Sequence, residues 1–415
     1  MSKTIAEIQE KLDSDEAIVL TVDEFKTKLR NGEEVTIDDV DVVTCGTSGV
    51  MSGTTALFHI PVTEPGLFNK AKEVYMNGIP AYPGPCPNEL LGSIDVFLYG
   101  TNHSETIDDY GGGSLIKDLL EGKEIEVKVI DIENKEFESK VKLEDMQTAR
   151  LIGTRMAFKN YNSFTNPQDN SQKSIFNVTP MTGPYDSYSF SGCGEVNPLA
   201  NDPKQEVIKN NTRILLNGAQ GIIVDNGTRS NIEKPNLLLT ADIKQMNPYY
   251  IGGFKTGMGP EIFDSVAIPI PVLNESILEN LKIFDNDIPL PVCDIHGRHL
   301  PLGTIDYTVW NDVDYRPDLD LNKCLNCDNC LVENICPTNA YSKGNDIKHD
   351  LCYGCGACSV YCPGRVPSMN LGSISLQTQD GIKEIPVTCR QSDKKRGLEI
   401  AEELKNQLLD GSFRL

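Results

Sequence analysis

Basic residues are in short supply: 38 Lys and Arg stand against 60 Asp and Glu across 415 residues, a formal net charge of −22. Nucleic acids and anionic membrane surfaces are bound by basic patches that displace counterions or attract headgroups, so neither is expected as a partner. Long apolar runs are missing as well. The longest candidate, residues 266–273, is cut by prolines, and nothing approaches the roughly 20 residues that span a bilayer. The opening Met1-Ser2-Lys3-Thr4-Ile5-Ala6-Glu7 lacks the basic start and apolar core of an export signal, so a cytoplasmic location is expected. Histidine is limited to five residues, of which only His296 and His299 are close in sequence, and catalytic zinc is not expected. The Gly257-x-Gly259 stretch lacks a third glycine and no phosphate-binding G-x-x-x-x-G-K-[ST] loop occurs, which leaves dinucleotide and nucleotide binding unsupported. Tryptophan occurs once, at Trp310.

What is present suits a soluble globular chain of more than one domain, with 39% hydrophobic and 24% charged residues. Residues 17–20 read as a strand, and Thr21 with Glu24 forms a capping box that starts a helix closed at Gly32. Ile125, Val127 and Val129 alternate with charged residues, and Val141 and Leu143 resume the period of two, which predicts a hairpin. Gly221-Ile222-Ile223-Val224 reads as a buried strand, and Glu261-Ile262-Phe263 as the start of a short helix. The fold class is therefore a mixed α/β large domain, residues 1–311, followed by a small ferredoxin-like domain, residues 318–368. The polar, proline-containing stretch 312–318 marks the boundary. A strand-helix tail, residues 369–415, is expected to pack back on the large domain, with Ile400, Ala401, Leu404 and Leu408 on one helix face.

Thirteen cysteines are present, eight of them between residues 324 and 362. They read C-x2-C-x2-C-x5-C-P from Cys324 to Pro337, and C-x2-C-x2-C-x3-C-P from Cys352 to Pro363. Three thiolates two residues apart wrap one corner of a 4Fe-4S cube, and the proline-followed fourth cysteine of each run crosses to the other cube. Two 4Fe-4S clusters are expected: one on Cys324, Cys327, Cys330 and Cys362, the other on Cys352, Cys355, Cys358 and Cys336. Structural zinc uses paired C-x2-C knuckles and has no use for the third cysteine of each run or the repeated Cys-Pro.

Five cysteines remain. Cys45, Cys86 and Cys193 are flanked by glycine or proline, which predicts tight loops whose backbone amides stabilise a thiolate. Cys293 and Cys389 sit in strand-like pieces and read as buried hydrophobes. Gly111-Gly112-Gly113 before Ser114 reads equally as an anion-binding helix start and as a plain turn.

At Thr44-Cys45-Gly46-Thr47, Asn77-Gly78-Ile79-Pro80-Ala81-Tyr82-Pro83-Gly84, Tyr110-Gly111-Gly112-Gly113, Asn197-Pro198-Leu199-Ala200-Asn201-Asp202-Pro203, Asp242-Ile243-Lys244-Gln245-Met246 and Ile268-Pro269-Ile270-Pro271-Val272-Leu273-Asn274, the chain resembles the homocysteine-biosynthesis family of L-aspartate semialdehyde sulfurtransferases. With its cysteine-rich segment it looks like that family's ferredoxin-fused branch, the methanogenesis marker sixteen metalloproteins. The resemblance implies sulfur transfer from a donor, sulfide or a persulfide, to an aldehyde, L-aspartate semialdehyde, by way of a cysteine persulfide, with reduction of the thio-intermediate to homocysteine. Electrons would come from an external low-potential donor through the clusters. Val50, Met51 and Ser52 occupy a place where relatives carry a cysteine, and residues 125–143 contain none. Cys45 is therefore the expected carrier, Cys86 and Cys193 the resolving or accepting thiols, and Arg213, Arg229 or Lys255 the partner of a substrate carboxylate. Two further expectations stand beside this one: a ferredoxin-coupled enzyme acting on another carbonyl in methanogen coenzyme synthesis, and a non-enzymatic electron carrier or redox sensor.

Overall fold

The computed structural model describes residues 2–159, 161–378 and 380–415. Its largest feature is a mixed sheet of fourteen strands, at one end of which the Val42–Val50 strand pairs with the long Gly259–Pro271 strand over nine residue pairs. The Glu261-Ile262-Phe263 segment thus lies in a strand and not in a helix. Branched and aromatic side chains on both faces bury it, and the antiparallel ladder outweighs the weak local helix signal. Other local signals carry through. Glu24 N–H donates to Thr21 Oγ1 at 3.2 Å and Thr21 N–H to the Glu24 carboxylate at 2.7 Å, closing the capping box of the Val22–Arg30 helix. The Ile125–Asp131 and Glu136–Val141 strands form the expected hairpin, and the Gly112–Leu120 helix follows Gly111. No helix among the described residues is long and apolar enough to cross a membrane.

A second sheet, of six strands, contains Ser163–Thr165, Tyr188–Phe190, Pro289–Asp294 and, from the tail, Gly381–Arg390. Tyr188–Phe190 and Gly381–Arg390 are parallel neighbours. The tail then continues as the Lys394–Leu409 helix, which lies across the large sheet and buries Ile400, Ala401, Leu404 and Leu408 against Val19, Val42 and Ala267. Asp393 caps this helix and pairs with two arginines, Arg316 at 2.7 Å and Arg396 at 2.6 Å. Arg396 also donates to the carbonyls of Tyr249, Asp350 and Cys352, so one buried guanidinium joins large sheet, tail and cysteine-rich segment. Lys255 N–H also donates to Pro337 O of that segment at 2.9 Å.

Helix and sheet approach most closely at a glycine pair. A Cβ on Gly46 would stand 2.0 Å from the Gly397 carbonyl oxygen, a backbone atom that cannot swing aside. Gly46→Ala must push the helix off its strand, and the expected cost is about 1–3 kcal/mol or more. A denaturant titration with the slope unchanged and the midpoint lowered would register it.

Candidate iron–sulfur module and basic pocket

Residues 318–368 carry short helices at Leu331–Ile335, which runs from Cys330 to Cys336, and at Ala357–Tyr361, which is entered from Gly356 and closed by Cys362. Cys336, Cys352, Cys355 and Cys358 line one small cavity. Burial and repulsion from the neighbouring thiols push Cys358 up to about 12 and Cys355 higher still. Backbone N–H groups nevertheless face the sulfurs, Ala340 N–H donating to Cys336 Sγ at 3.2 Å. Thiols crowded in this way ionise together only when a cation neutralises them, and four sulfurs around a void match a cube whose four irons alternate with sulfide and each take one thiolate. Among the described residues no three or more His, Cys, Asp or Glu side chains converge to hold a lone metal ion. Cys324, Cys330 and Cys362 gather on Tyr341, whose hydroxyl they push up to about 12 together with burial. Cys327 beside them is exposed, as is Leu325. Cys336, Cys352, Cys355 and Cys358 thus share one inward cavity, while Cys324, Cys330 and Cys362 lie near Tyr341. The donor sets fit two such clusters.

The inward group touches the large domain at the end of the Gly381–Arg390 strand. Arg390 N–H donates to Cys355 O at 2.9 Å, and Tyr353 Oη donates to Gln391 O at 3.2 Å. Cys389 packs with Cys355 and Tyr353. It is fully buried, in keeping with its reading as a small hydrophobe, as is Cys293. Gln391 also lines a cavity of about 420 Å³ to which residues 50–53, 155–164, 175–176, 191, 229–234 and 298–299 contribute as well. Arg155, Arg229, Lys234 and Arg298 line this cavity, with no aspartate or glutamate among its described lining residues. Of the three basic residues singled out in the sequence, only Arg229 is here. Arg213 stacks over Phe413 and bonds Gln220, and Lys255 pairs with Asp109 at 3.0 Å. Arg155, Lys234, Arg298 and the Tyr161 hydroxyl were not legible as a site, because only the fold brings their segments together.

The three candidate thiols are widely separated in character. Cys45 lies within the Val42–Val50 strand and not on a loop, fully buried beneath the Val22–Arg30 helix. Burial drives its thiol well above the ordinary range, against the opposing pull of buried Lys26, whose own pKa is lowered to about 8 by desolvation. Cys86 is on an exposed loop, its thiol donating to Asn88 Oδ1 at 3.2 Å. Cys193 is on a loop, next to the positive-φ glycines 192 and 194, with Sγ 3.5 Å from the Ser48 carbonyl. Burial raises it to about 11, and hydrogen bonds from Ser48 and Thr47 work the other way. Amide stabilisation of a thiolate, the sequence expectation, is therefore outweighed by burial at both Cys45 and Cys193. Cys193 stands between the two sites. Two residues before it, Ser191 lines the pocket and donates to the Gln391 side chain, whose backbone carbonyl accepts from Tyr353 of the module. The Cys193 loop is held by Trp310, whose indole N–H donates to Gly192 O at 3.0 Å, and by Tyr307, which donates to Ser191 O at 2.9 Å.

Comparison with known proteins accounts for this combination. The profile described as "Homocysteine biosynthesis enzyme, sulfur-incorporation" matches residues 17–415. The chain belongs to that family. It is 47% identical over 414 residues to an uncharacterized protein of Methanothermobacter thermautotrophicus, covering 100% of this chain and 94% of the relative. An L-aspartate semialdehyde sulfurtransferase of Methanocaldococcus jannaschii is 33% identical over 307 residues, 70% of this family member but only 58% of the relative. The cysteine-rich segment is 40% identical over 55 residues to the pyruvate synthase subunit PorD of Methanothermobacter marburgensis, 13% of this chain and 65% of that subunit. No solved structure matches.

Proposed function

We propose that the protein catalyses reductive sulfur transfer to an anionic aldehyde to give the corresponding thiol; the reference substrate is L-aspartate semialdehyde, named for its relatives, which would yield homocysteine. The observation that carries this reading is the shared strand end. Residues 389–391 touch the inward cysteine group through Arg390 and Tyr353, and the pocket through Gln391. Cys324, Cys327, Cys330 and Cys362 would hold one 4Fe-4S cluster and Cys336, Cys352, Cys355 and Cys358 the other; so bound, the clusters supply low-potential electrons singly.

The electron count follows from the chemistry. An aldehyde plus hydrogen sulfide, two electrons and two protons gives a thiol and water. If the sulfur arrives as a cysteine persulfide, four electrons and four protons are needed, two of each to break the S–S bond and regenerate the cysteine thiol. We assign that sulfur to Cys193, because Ser191, two residues before it, lines the pocket, whereas Cys45 is buried beneath a helix and Cys86 faces solvent on a separate loop.

The test is anaerobic incubation of full-length protein with aspartate semialdehyde, sulfide and a low-potential reductant, assayed for homocysteine. Protein purified without oxygen should also contain about eight iron and eight acid-labile sulfide per chain. Stoichiometric zinc without sulfide would overturn the cluster assignment.

A further inference from the structure

The cavity at residues 50–53 is unusual for its charge. In a chain with a formal net charge of −22, its described lining residues include three arginines and a lysine and no carboxylate. The cations are not neutralised by one another's hydrogen bonds. Arg155 lies against the Phe158 ring, its Nε shielded from water without a partner, and Arg229 together with burial lowers its pKa. Arg298 lies over Phe176, and among the described residues Lys234 donates to the neutral amide of Asn162 and is in no ion pair. The Tyr161 hydroxyl, shielded from solvent, donates to no protein group. Glu261 bonds Ser52, one of the lining residues, and burial shifts it toward its neutral form.

Guanidinium groups brought together on aromatic faces, with donors left open, form a receptor for an oxyanion. The same field opposes any second cation. An α-amino aldehyde would have to place its ammonium among four positive side chains with no carboxylate to receive it, which is a strong element of discrimination. We infer that this pocket seats the acidic group of the substrate through Arg155, Arg229 and Arg298, and that it selects an aldehyde bearing an oxyanion and no ammonium. This rests on the sulfur-transfer reading for the reaction, but not for the binding.

Succinate semialdehyde and aspartate semialdehyde differ only in the amino group, so they isolate the effect. With cluster-loaded full-length protein, kcat/KM for thiol formation should favour succinate semialdehyde by about tenfold or more. Inert succinate should bind by calorimetry and compete with it. Arg155→Gln and Arg229→Gln should each weaken succinate binding and raise KM by about 10–100-fold, with iron content and circular dichroism unchanged. Lys255→Gln, remote from the pocket, should do neither. Because Arg229 is exposed, its variant keeps the test valid if Arg155→Gln fails to fold. A preference for aspartate semialdehyde, absence of succinate binding, or binding indifferent to Arg229→Gln would overturn the inference. If succinate binds and the variants lose it while neither aldehyde yields a thiol, the pocket assignment stands and the sulfur-transfer reading falls.

Discussion

Cys193→Ser is expected to lower thiol formation by at least about 100-fold while iron content and chemical reduction of the clusters stay as in the parent protein. Serine keeps the size of the side chain and a donor toward the Ser48 carbonyl, but it cannot form an S–S bond. None of the eight module cysteines is touched. Cys45→Ser is the discriminating companion. Its thiol has no route to the pocket in the folded chain, so transfer should persist, reduced only as far as a hydroxyl among buried apolar groups loosens the core. Cys293→Ser serves as a second control. Should Cys45→Ser be inactive and Cys193→Ser active, the carrier is the strand cysteine, and the fold must open at the Val22–Arg30 helix during turnover. If both variants and Cys86→Ser retain full activity, no thiol outside the module carries sulfur, and the aldehyde meets free sulfide in the pocket.

Removing the tail should be still more disruptive. A chain ending after Thr308 loses the Gly381–Arg390 strand from the second sheet and the Lys394–Leu409 helix from the first. Ile400, Leu404, Leu408 and Phe413 are all at most 1% exposed. Each such side chain contributes about 1.5–3 kcal/mol on burial, or roughly 6–12 kcal/mol for the four. That rivals the whole stability of a typical domain, about 5–15 kcal/mol. The truncated chain should therefore be recovered aggregated, or as a compact state without a cooperative thermal transition. A soluble product with a sharp transition near that of the full chain would show that residues 1–311 close their own core.

How much of this could be read from the residues depends on the range of the interaction. The capping box at Thr21 and Glu24 and the alternation at Ile125, Val127 and Val129 are local patterns, and each is realised where the residues stand, while four of the eight clustered cysteines come together around one cavity. The helix expected at Glu261 failed because three residues of weak signal were absorbed into a strand paired on both sides. Cys45 illustrates a subtler failure. Glycine beside a cysteine suggested a turn, but Gly46 is small because the Gly397 carbonyl passes over it. The basic pocket was the least legible feature. Its cations come from residues 155, 229, 234 and 298, and only a fold that joins these segments reveals that they share a cavity from which carboxylates are missing.

Trp310 is the only tryptophan in the chain, and its ring packs on Phe190 and under the Arg390 guanidinium while its N–H holds the Gly192 carbonyl. All indole emission therefore originates one residue from Cys193 and one hydrogen bond from the loop that carries it. An unlabelled protein thus contains a single-site optical reporter. Sulfur loading that shifts the 192–194 loop should alter the emission wavelength, and anion binding at Arg229 should alter it only if pocket and loop move together.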